Sequence, residues 1–251
     1  MEYRIKKSLG QHFLIDETIC QQIVAATMAM QPTQLLEVGP GTGALTKYIL
    51  LQPNLNFKAV DLDTEKIEYL SLTYPAIIPC LINESILKME PPFEGKFAVV
   101  GNFPYNISTE ILFKLLDWKM QLTSIVGMFQ KEVALRIAAT HGSKIYGVTS
   151  ILLQAHFAIT YLFDVDAKAF NPPPKVQSGV IQLVPLAQPV VTKSDKKFRL
   201  LVKTAFTQRR KTLRNAVKSL FVAEQLLDPI FNKRPEQLSV QDFADLTFKM
   251  Q

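Results

Sequence analysis

The sequence predicts an α/β protein: a doubly wound domain over residues 1–185, followed by a small all-α domain over residues 186–251. Three observations carry that prediction. Short β-branched and aromatic runs alternate with stretches of helical period from residue 35 to residue 184, the signature of strand–helix–strand units around a parallel sheet. The first run, Leu35-Leu36-Glu37-Val38, enters Gly39-Pro40-Gly41-Thr42-Gly43 and then a helix over 44–51, so backbone N–H groups face a ligand at a helix N-terminus. Residues 185–194 carry two prolines and no periodicity, and a helical stripe of Phe198, Leu201, Val202, Ala205 and Phe206 follows.

Composition narrows the class. The chain has 251 residues, 48% hydrophobic and 20% charged, enough to bury a full core and unlike a disordered chain. A formal charge of +6 favours a polyanionic partner. Cys20 and Cys80 are too few and too far apart for a zinc cluster or a disulfide framework, which fits a reducing compartment. The basic start, Met1-Glu2-Tyr3-Arg4-Ile5-Lys6-Lys7, leads into Gly10-Gln11-His12 and not into an apolar segment, and no run is long enough to cross a bilayer. A soluble cytoplasmic protein is expected.

In chain order, residues 6–14 read as an arm, basic at first and then apolar, in which His12 alone would be an ordinary loop histidine. Asp16 is placed to cap a helix reaching about residue 30. After the first strand, Gly39, Gly41 and Ala44 also satisfy the dinucleotide pattern Gly-x-Gly-x-x-Gly/Ala. Glu37 at the strand end and the third glycine, Gly43, favour the Glu-x-Gly-x-Gly-x-Gly form of S-adenosylmethionine sites. The second strand, 57–63, ends in acid: Asp61, about 20 residues past the glycines, is placed to take both hydroxyls of an adenosine ribose. Asp63 suits the cap of a helix from residue 64. A third strand is expected over 76–82, followed by Asn83-Glu84-Ser85, where a polar side chain would reach a cofactor's adenine.

The fourth strand, 96–100, stops at Gly101-Asn102-Phe103-Pro104-Tyr105-Asn106. In open α/β sheets the C-terminal strand ends are where ligands bind. Asn102 supplies an amide oxygen, Phe103 a carbonyl held by Pro104, and Tyr105 a flat ring, which together suit a planar base bearing an exocyclic amine. Acceptors off the base plane favour a pyramidal nitrogen over the flat ground state, which is differential binding of the transition state. The competing reading is a plain turn, since Gly, Asn and Pro are common turn residues. A helix over 108–117, a strand over 122–129, a helix over 131–140, a glycine-bounded loop over 141–147, a helix over 148–156 and strands over 159–165 and 179–184 complete the domain.

Between those last strands, Phe170-Asn171-Pro172-Pro173-Pro174-Lys175-Val176 holds three prolines that present Phe170 rigidly, placed to sandwich a flipped base against Tyr105. A polyproline ligand for another protein is the rival reading. In residues 193–218, Lys193, Lys196, Lys197, Arg199, Lys203, Arg209, Arg210, Lys211, Arg214 and Lys218 stand against Asp195 alone. A solvated helix face is the usual meaning of a charge run, but this imbalance points to a phosphate backbone, with Lys203, Arg209, Arg210, Lys211 and Arg214 as its contacts.

These motifs, in this order, resemble the ribosomal RNA adenine dimethyltransferases: Lys7-Ser8-Leu9-Gly10-Gln11-His12-Phe13-Leu14, the Glu37–Gly43 stretch, Gly101-Asn102-Phe103-Pro104-Tyr105-Asn106-Ile107-Ser108, the triple-proline segment, and Phe206-Thr207-Gln208-Arg209-Arg210-Lys211-Thr212-Leu213-Arg214-Asn215. The resemblance runs nearly end to end. It implies a Rossmann-like class I methyltransferase domain using S-adenosylmethionine, with His12, Leu14, Gly39, Asp61, Glu84 and Asn102 as cofactor positions, alongside Glu37 and Gly41 of the glycine loop. His12 stands where Asn is frequent, Asp61 where Glu is usual and Glu84 where Asp is usual; Asn83 is an alternative to Glu84. The implied activity is N6,N6-dimethylation of two adjacent adenosines in a 3′-terminal hairpin loop of small-subunit (16S) rRNA during ribosome biogenesis. Its partner is the 30S subunit or its precursor, nothing demands more than a monomer, and no metal is needed because the sulfonium already activates the methyl. The base is lifted out of its stack to react. Three rivals remain: the large-subunit (23S) enzymes of macrolide resistance, which share the glycine and Asn102–Tyr105 loops, a non-catalytic assembly factor on the same fold, and, a distant third, a nicotinamide oxidoreductase, which explains neither the Asn102–Tyr105 loop nor the basic second domain.

Overall fold

The structure, a computed structural model, describes residues 12–251. Residues 6–11 of the expected arm lie outside the described residues. Strand β1 (Phe13–Leu14) leads into α1 (Glu17–Met28). Asp16 caps this helix, its carboxylate accepting from the N–H groups of Thr18 and Ile19, donors that have no partner within the first turn.

Next come β2 (Gln34–Val38), α2 (Thr46–Ile49), β3 (Asn56–Asp61) and α3 (Thr64–Thr73). Helix α2 is shorter than the expected 44–51 because Gly39, Gly41 and Gly43 all take positive φ, and a right-handed helix begins only beyond them. The stretch 76–82 is not a full strand. Pro75–Cys80 is a 3-10 turn, and β4 is confined to Leu81–Asn83. Pro75 and Pro79 account for this, since neither has an N–H to give to a ladder.

The chain continues through β5 (Phe97–Asn102), α4 (Ser108–Asp117), β6 (Leu122–Gln130), α5 (Lys131–Ala138), α6 (Val148–Gln154), β7 (Phe157–Val165), β8 (Phe170–Asn171) and β9 (Ser178–Pro185). The main sheet runs β4-β3-β2-β5-β6-β9-β7. Its pairings from β4 to β6 are parallel, and β9 is antiparallel to β6. Strand order reverses between β2 and β5, the position where an open sheet leaves a crevice at its C-terminal edge. That brings the glycine loop after β2 beside the Asn102 loop after β5. Gly101 is required there, because a Cβ would stand 2.6 Å from the Val38 carbonyl oxygen. A second, two-stranded sheet pairs β1 with β8, Phe13 opposite Asn171 and Leu14 opposite Phe170.

The chain divides into two compact units, Met1–Ala134 with Thr160–Pro185 and Leu135–Ile159 with Leu186–Gln251. One cut coincides with the boundary expected at residue 185. Residues 135–159, assigned from sequence to the first domain, group instead with the second unit, where α6 packs on α7 (Asp195–Phe206). That unit also holds α8 (Leu213–Val217) and α9 (Val240–Lys249). The stripe expected after residue 197 is α7's buried face: Phe198, Leu201, Val202 and Ala205.

Candidate active site

A cavity of about 530 Å³ lies in the first unit and is lined by Gly39 and Gly41, by the turn from Asp61 to Lys66, by the loop from Asn102 to Ile107, and by His12 and Phe13. Its size is that of an ordinary small-molecule site. Of the positions singled out in the sequence, His12, Gly39, Gly41, Asp61, Asn102, Phe103, Pro104 and Tyr105 meet here. Leu14 and Glu37 line a much smaller recess with Gly39, Gly41 and Asn102.

At one end the Asp61 carboxylate is buried and held from both sides. Its Oδ1 accepts from the Asp63 N–H at 2.9 Å, and its Oδ2 is 3.0 Å from Lys66 Nζ. Each oxygen keeps a further lone pair for a ligand hydroxyl. Asn83, weighed against Glu84 as an adenine contact, is committed to the turn itself. Its amide donates to the Asp61 and Leu62 carbonyls, and its oxygen accepts from Thr64. Glu84 is exposed and does not line the cavity. Strand β4 ends at Asn83, so the residue after it leaves the sheet edge for solvent.

Glu37 sits behind the glycine loop, 1% exposed. Thr46 donates to its Oε2 at 2.7 Å. Burial pushes its carboxyl up to about 8, with the Asp61 charge adding to the rise and the Thr46 hydroxyl opposing it. The carboxyl therefore holds a proton through much of the neutral range.

At the other end, the Asn102 amide nitrogen donates to the His12 carbonyl at 3.2 Å. A carbonyl only accepts, so this contact fixes which way the amide lies and leaves Oδ1 as the open acceptor. The Phe103 ring is 1% exposed and meets the Phe129 ring edge to face at 5.1 Å. What this residue offers a ligand is main chain. The Tyr105 hydroxyl lies 2.5 Å from Ser178 Oγ. Burial raises the Tyr105 pKa, against the hydrogen bond to Ser178, so the ring stays a neutral phenol.

The expected sandwich of Tyr105 and Phe170 is not what the structure holds. Phe170 is 2% exposed, paired opposite Leu14 and packed in the core with Val165 and Ala169. The ring stacked near Tyr105 is His12, at 5.8 Å between centroids and 27° between planes. An apolar ring at the start of a two-stranded pairing gains more from burial than from facing a water-filled cavity.

In the second unit the five basic residues divide. Lys203, Arg210 and Lys211 are exposed. Arg209 departs from the expectation: its guanidinium donates to the Lys144 carbonyl and, at 3.1 Å, to the Tyr146 carbonyl, which ties down the loop over 141–147 from within the same unit. Arg214 is only half-exposed, with a buried Nε.

Sequence reasoning missed Lys66, Ser178 and Thr46. Lys66 was within reach, standing in the first turn of a helix that opens just after Asp61. Nothing local marks Ser178 as the partner of a tyrosine 73 positions earlier.

Comparison with known proteins follows the same lines. Residues 2–248 match the family model described as ribosomal RNA adenine dimethylase. A protein named ribosomal RNA small subunit methyltransferase A from Cytophaga hutchinsonii is 51% identical over 248 residues, covering 97% of this chain and 96% of its own. Among solved structures, a dimethyladenosine transferase from Plasmodium falciparum superposes with a TM-score of 0.76 at 26% identity, over 94% of this chain and 96% of its own. The 23S rRNA methyltransferase ErmE gives 0.70 at 22% identity, over 93% and 99%, a likeness of fold.

Proposed function

The chain belongs to the ribosomal RNA adenine dimethylase family, and from that premise we propose that it dimethylates N6 of two adjacent adenosines in the 3′-terminal hairpin loop of small-subunit rRNA. S-adenosylmethionine is the methyl donor and, when bound, supplies a methyl already activated by a cationic sulfur. The observation that carries this reading is the Asn102 amide, fixed by its bond to the His12 carbonyl in a residue that lines the same cavity as Asp61 and Tyr105.

The residues present fit that donor. The buried Asp61 carboxylate has lone pairs for a ribose diol, Gly39 and Gly41 bring bare backbone to the cavity wall, and Leu62 and Ile107 add apolar surface for a base. On the substrate side, Asn102 Oδ1 and the Phe103 carbonyl accept the two N–H protons of the adenine amine, favouring a pyramidal nitrogen whose lone pair is withdrawn from the ring π-system. Tyr105 stacks on the base. No side chain need become a nucleophile, so the contribution of the protein is positioning and charge stabilisation.

Lys203, Arg210 and Lys211 contact phosphates of the substrate, which is the small ribosomal subunit or its precursor, and the enzyme works as a cytoplasmic monomer. Among the described residues no helix is long and apolar enough to cross a membrane.

The test is transfer of labelled methyl groups into undermethylated small and large ribosomal subunits, with the product mapped by reverse-transcriptase stops. Paired stops near the 3′ end of the small-subunit RNA are expected. A large-subunit stop would move the assignment to the macrolide-resistance activity, and no transfer despite cofactor and RNA binding would leave an assembly factor. Asn102→Ala is expected to lower kcat by about 10²–10³-fold, the usual loss for one preorganised polar group at the reacting centre.

A further inference from the structure

We propose that Ser178 and His12 are positioning residues for this reaction: together they lock the Tyr105 ring so that one face alone is open to an adenine. The proposal deepens the reading above and rests on Tyr105 meeting the target base. Ser178 is the first residue of β9, fully buried, with its hydroxyl 2.5 Å from that of Tyr105. A tyrosine hydroxyl lies on the axis of χ2, so this hydrogen bond fixes through χ1 where the ring sits, and the rotation about χ2 is left to what packs on the ring face.

His12 acts on the ring's face and on two neighbours at once. Its imidazole is stacked near Tyr105. Its Nδ1 is 2.8 Å from the Pro172 carbonyl oxygen; the carbonyl only accepts, so Nδ1 carries the hydrogen and the ring's orientation is set. Its own carbonyl takes the Asn102 amide. One residue thereby ties the acceptor Asn102, the stacking ring Tyr105 and the triple-proline segment into a single arrangement.

The consequence is energetic. Stacking depends on the tilt and offset of the two rings. A ring ordered before substrate arrives does not charge its ordering entropy to the bound complex. With Phe170 in the core and His12 on one face of Tyr105, a flipped base enters on the remaining face and not between two aromatic walls.

The test uses the intact protein, with undermethylated small ribosomal subunits for kcat and a hairpin RNA for the stacking readout. Tyr105→Phe and Ser178→Ala remove the same hydrogen bond from opposite sides. Each is expected to lower kcat about tenfold, the worth of one ordinary buried hydrogen bond, with cofactor affinity by calorimetry unchanged. The double variant is expected to be no worse than either single one, because both delete one interaction. In parallel, 2-aminopurine replacing the first target adenosine reports stacking by fluorescence quenching. Quenching should weaken in Ser178→Ala and His12→Ala and return in His12→Phe, which restores a ring.

Wild-type kcat in both single variants, additive losses in the double variant, or unchanged quenching in His12→Ala would overturn the positioning roles. Should Ser178→Ala fail to fold, Tyr105→Phe tests the same bond without touching β9. If Tyr105→Ala itself transfers methyl groups at the wild-type rate, the failure lies in the reading of Tyr105 as the base contact and not in its positioning.

Discussion

At the Asp61 end of the cavity the carboxylate takes its partners from its own turn: Asp63 two residues on, Lys66 five residues on, and Asn83 holding the backbone from 22 residues on. At the Tyr105 end the contacts span 73, 90 and 160 residues, from Tyr105 to Ser178, Asn102 to His12 and His12 to Pro172. The first end draws only on β3, α3 and β4. The second exists only when the N-terminal strand, the middle of the chain and the triple-proline segment have all arrived. One end is a local construction and the other a closure of the whole first unit, and they should fail separately.

The largest separation is expected from Asp61→Asn. It leaves the Lys66 ammonium buried without its counter-charge, at a cost of about 3 kcal/mol in stability. Cofactor affinity should fall at least tenfold through loss of a charged acceptor, while adenine stacking on Tyr105, read by 2-aminopurine quenching, stays as in the parent. Calorimetry and quenching on the same protein check this. Equal losses at both ends would mean that the two are one cooperative structure.

Glu37 lies behind the glycine loop and tests the Asp61 end through pH. Its carboxyl is raised from 4.5 to about 8, so between those values the folded chain keeps a proton that the unfolded chain gives up. The folded state binds the extra proton, and stability from this group falls as pH rises through that window, by at most about 1.4 kcal/mol per pH unit. Glu37→Gln has no such proton to lose. Its Tm advantage over the parent should widen from pH 5 to pH 8 and be constant above pH 9. In the Asp61→Asn background the window should narrow, because Asp61 contributes to the rise.

The same contrast explains what could be read from the chain. Glu37, Gly39, Gly41 and Asp61 were legible because strand, glycine turn and acid follow one another at fixed short spacing. Asn102 to Tyr105 were legible as a loop at a strand end. What was not legible was the surroundings of Tyr105. In the sequence Phe170 reads as a stacking ring because an aromatic before three prolines looks presented, yet its register opposite Leu14 turns the ring into the core. Ser178 has no local mark at all. Likewise Arg209 and Arg210 are adjacent and chemically alike in sequence, and only the loop over 141–147 distinguishes the one that braces carbonyls from the one left exposed. The 3-10 turn at Pro75–Cys80 was within reach: its two prolines argue against a ladder.

The smallest expected effect is the one that asks whether the two ends touch. Gly41 belongs to the glycine loop, takes φ +60°, and a Cβ there would stand 3.3 Å from Cδ1 of Phe13, the residue that follows His12. Alanine at this position costs about 1 kcal/mol from backbone conformation alone. Gly142 supplies the control: its φ is +85°, and a Cβ there meets nothing within 4 Å. Gly142→Ala should therefore lose a similar amount of stability with no change in cofactor affinity or in adenine stacking. Gly41→Ala should lose that stability and also weaken both, by a few-fold each, because Phe13 must give way and β1 carries His12 with it. Weaker cofactor binding with unaltered stacking would place the glycine loop wholly with the Asp61 end and leave the N-terminal strand to the Tyr105 end.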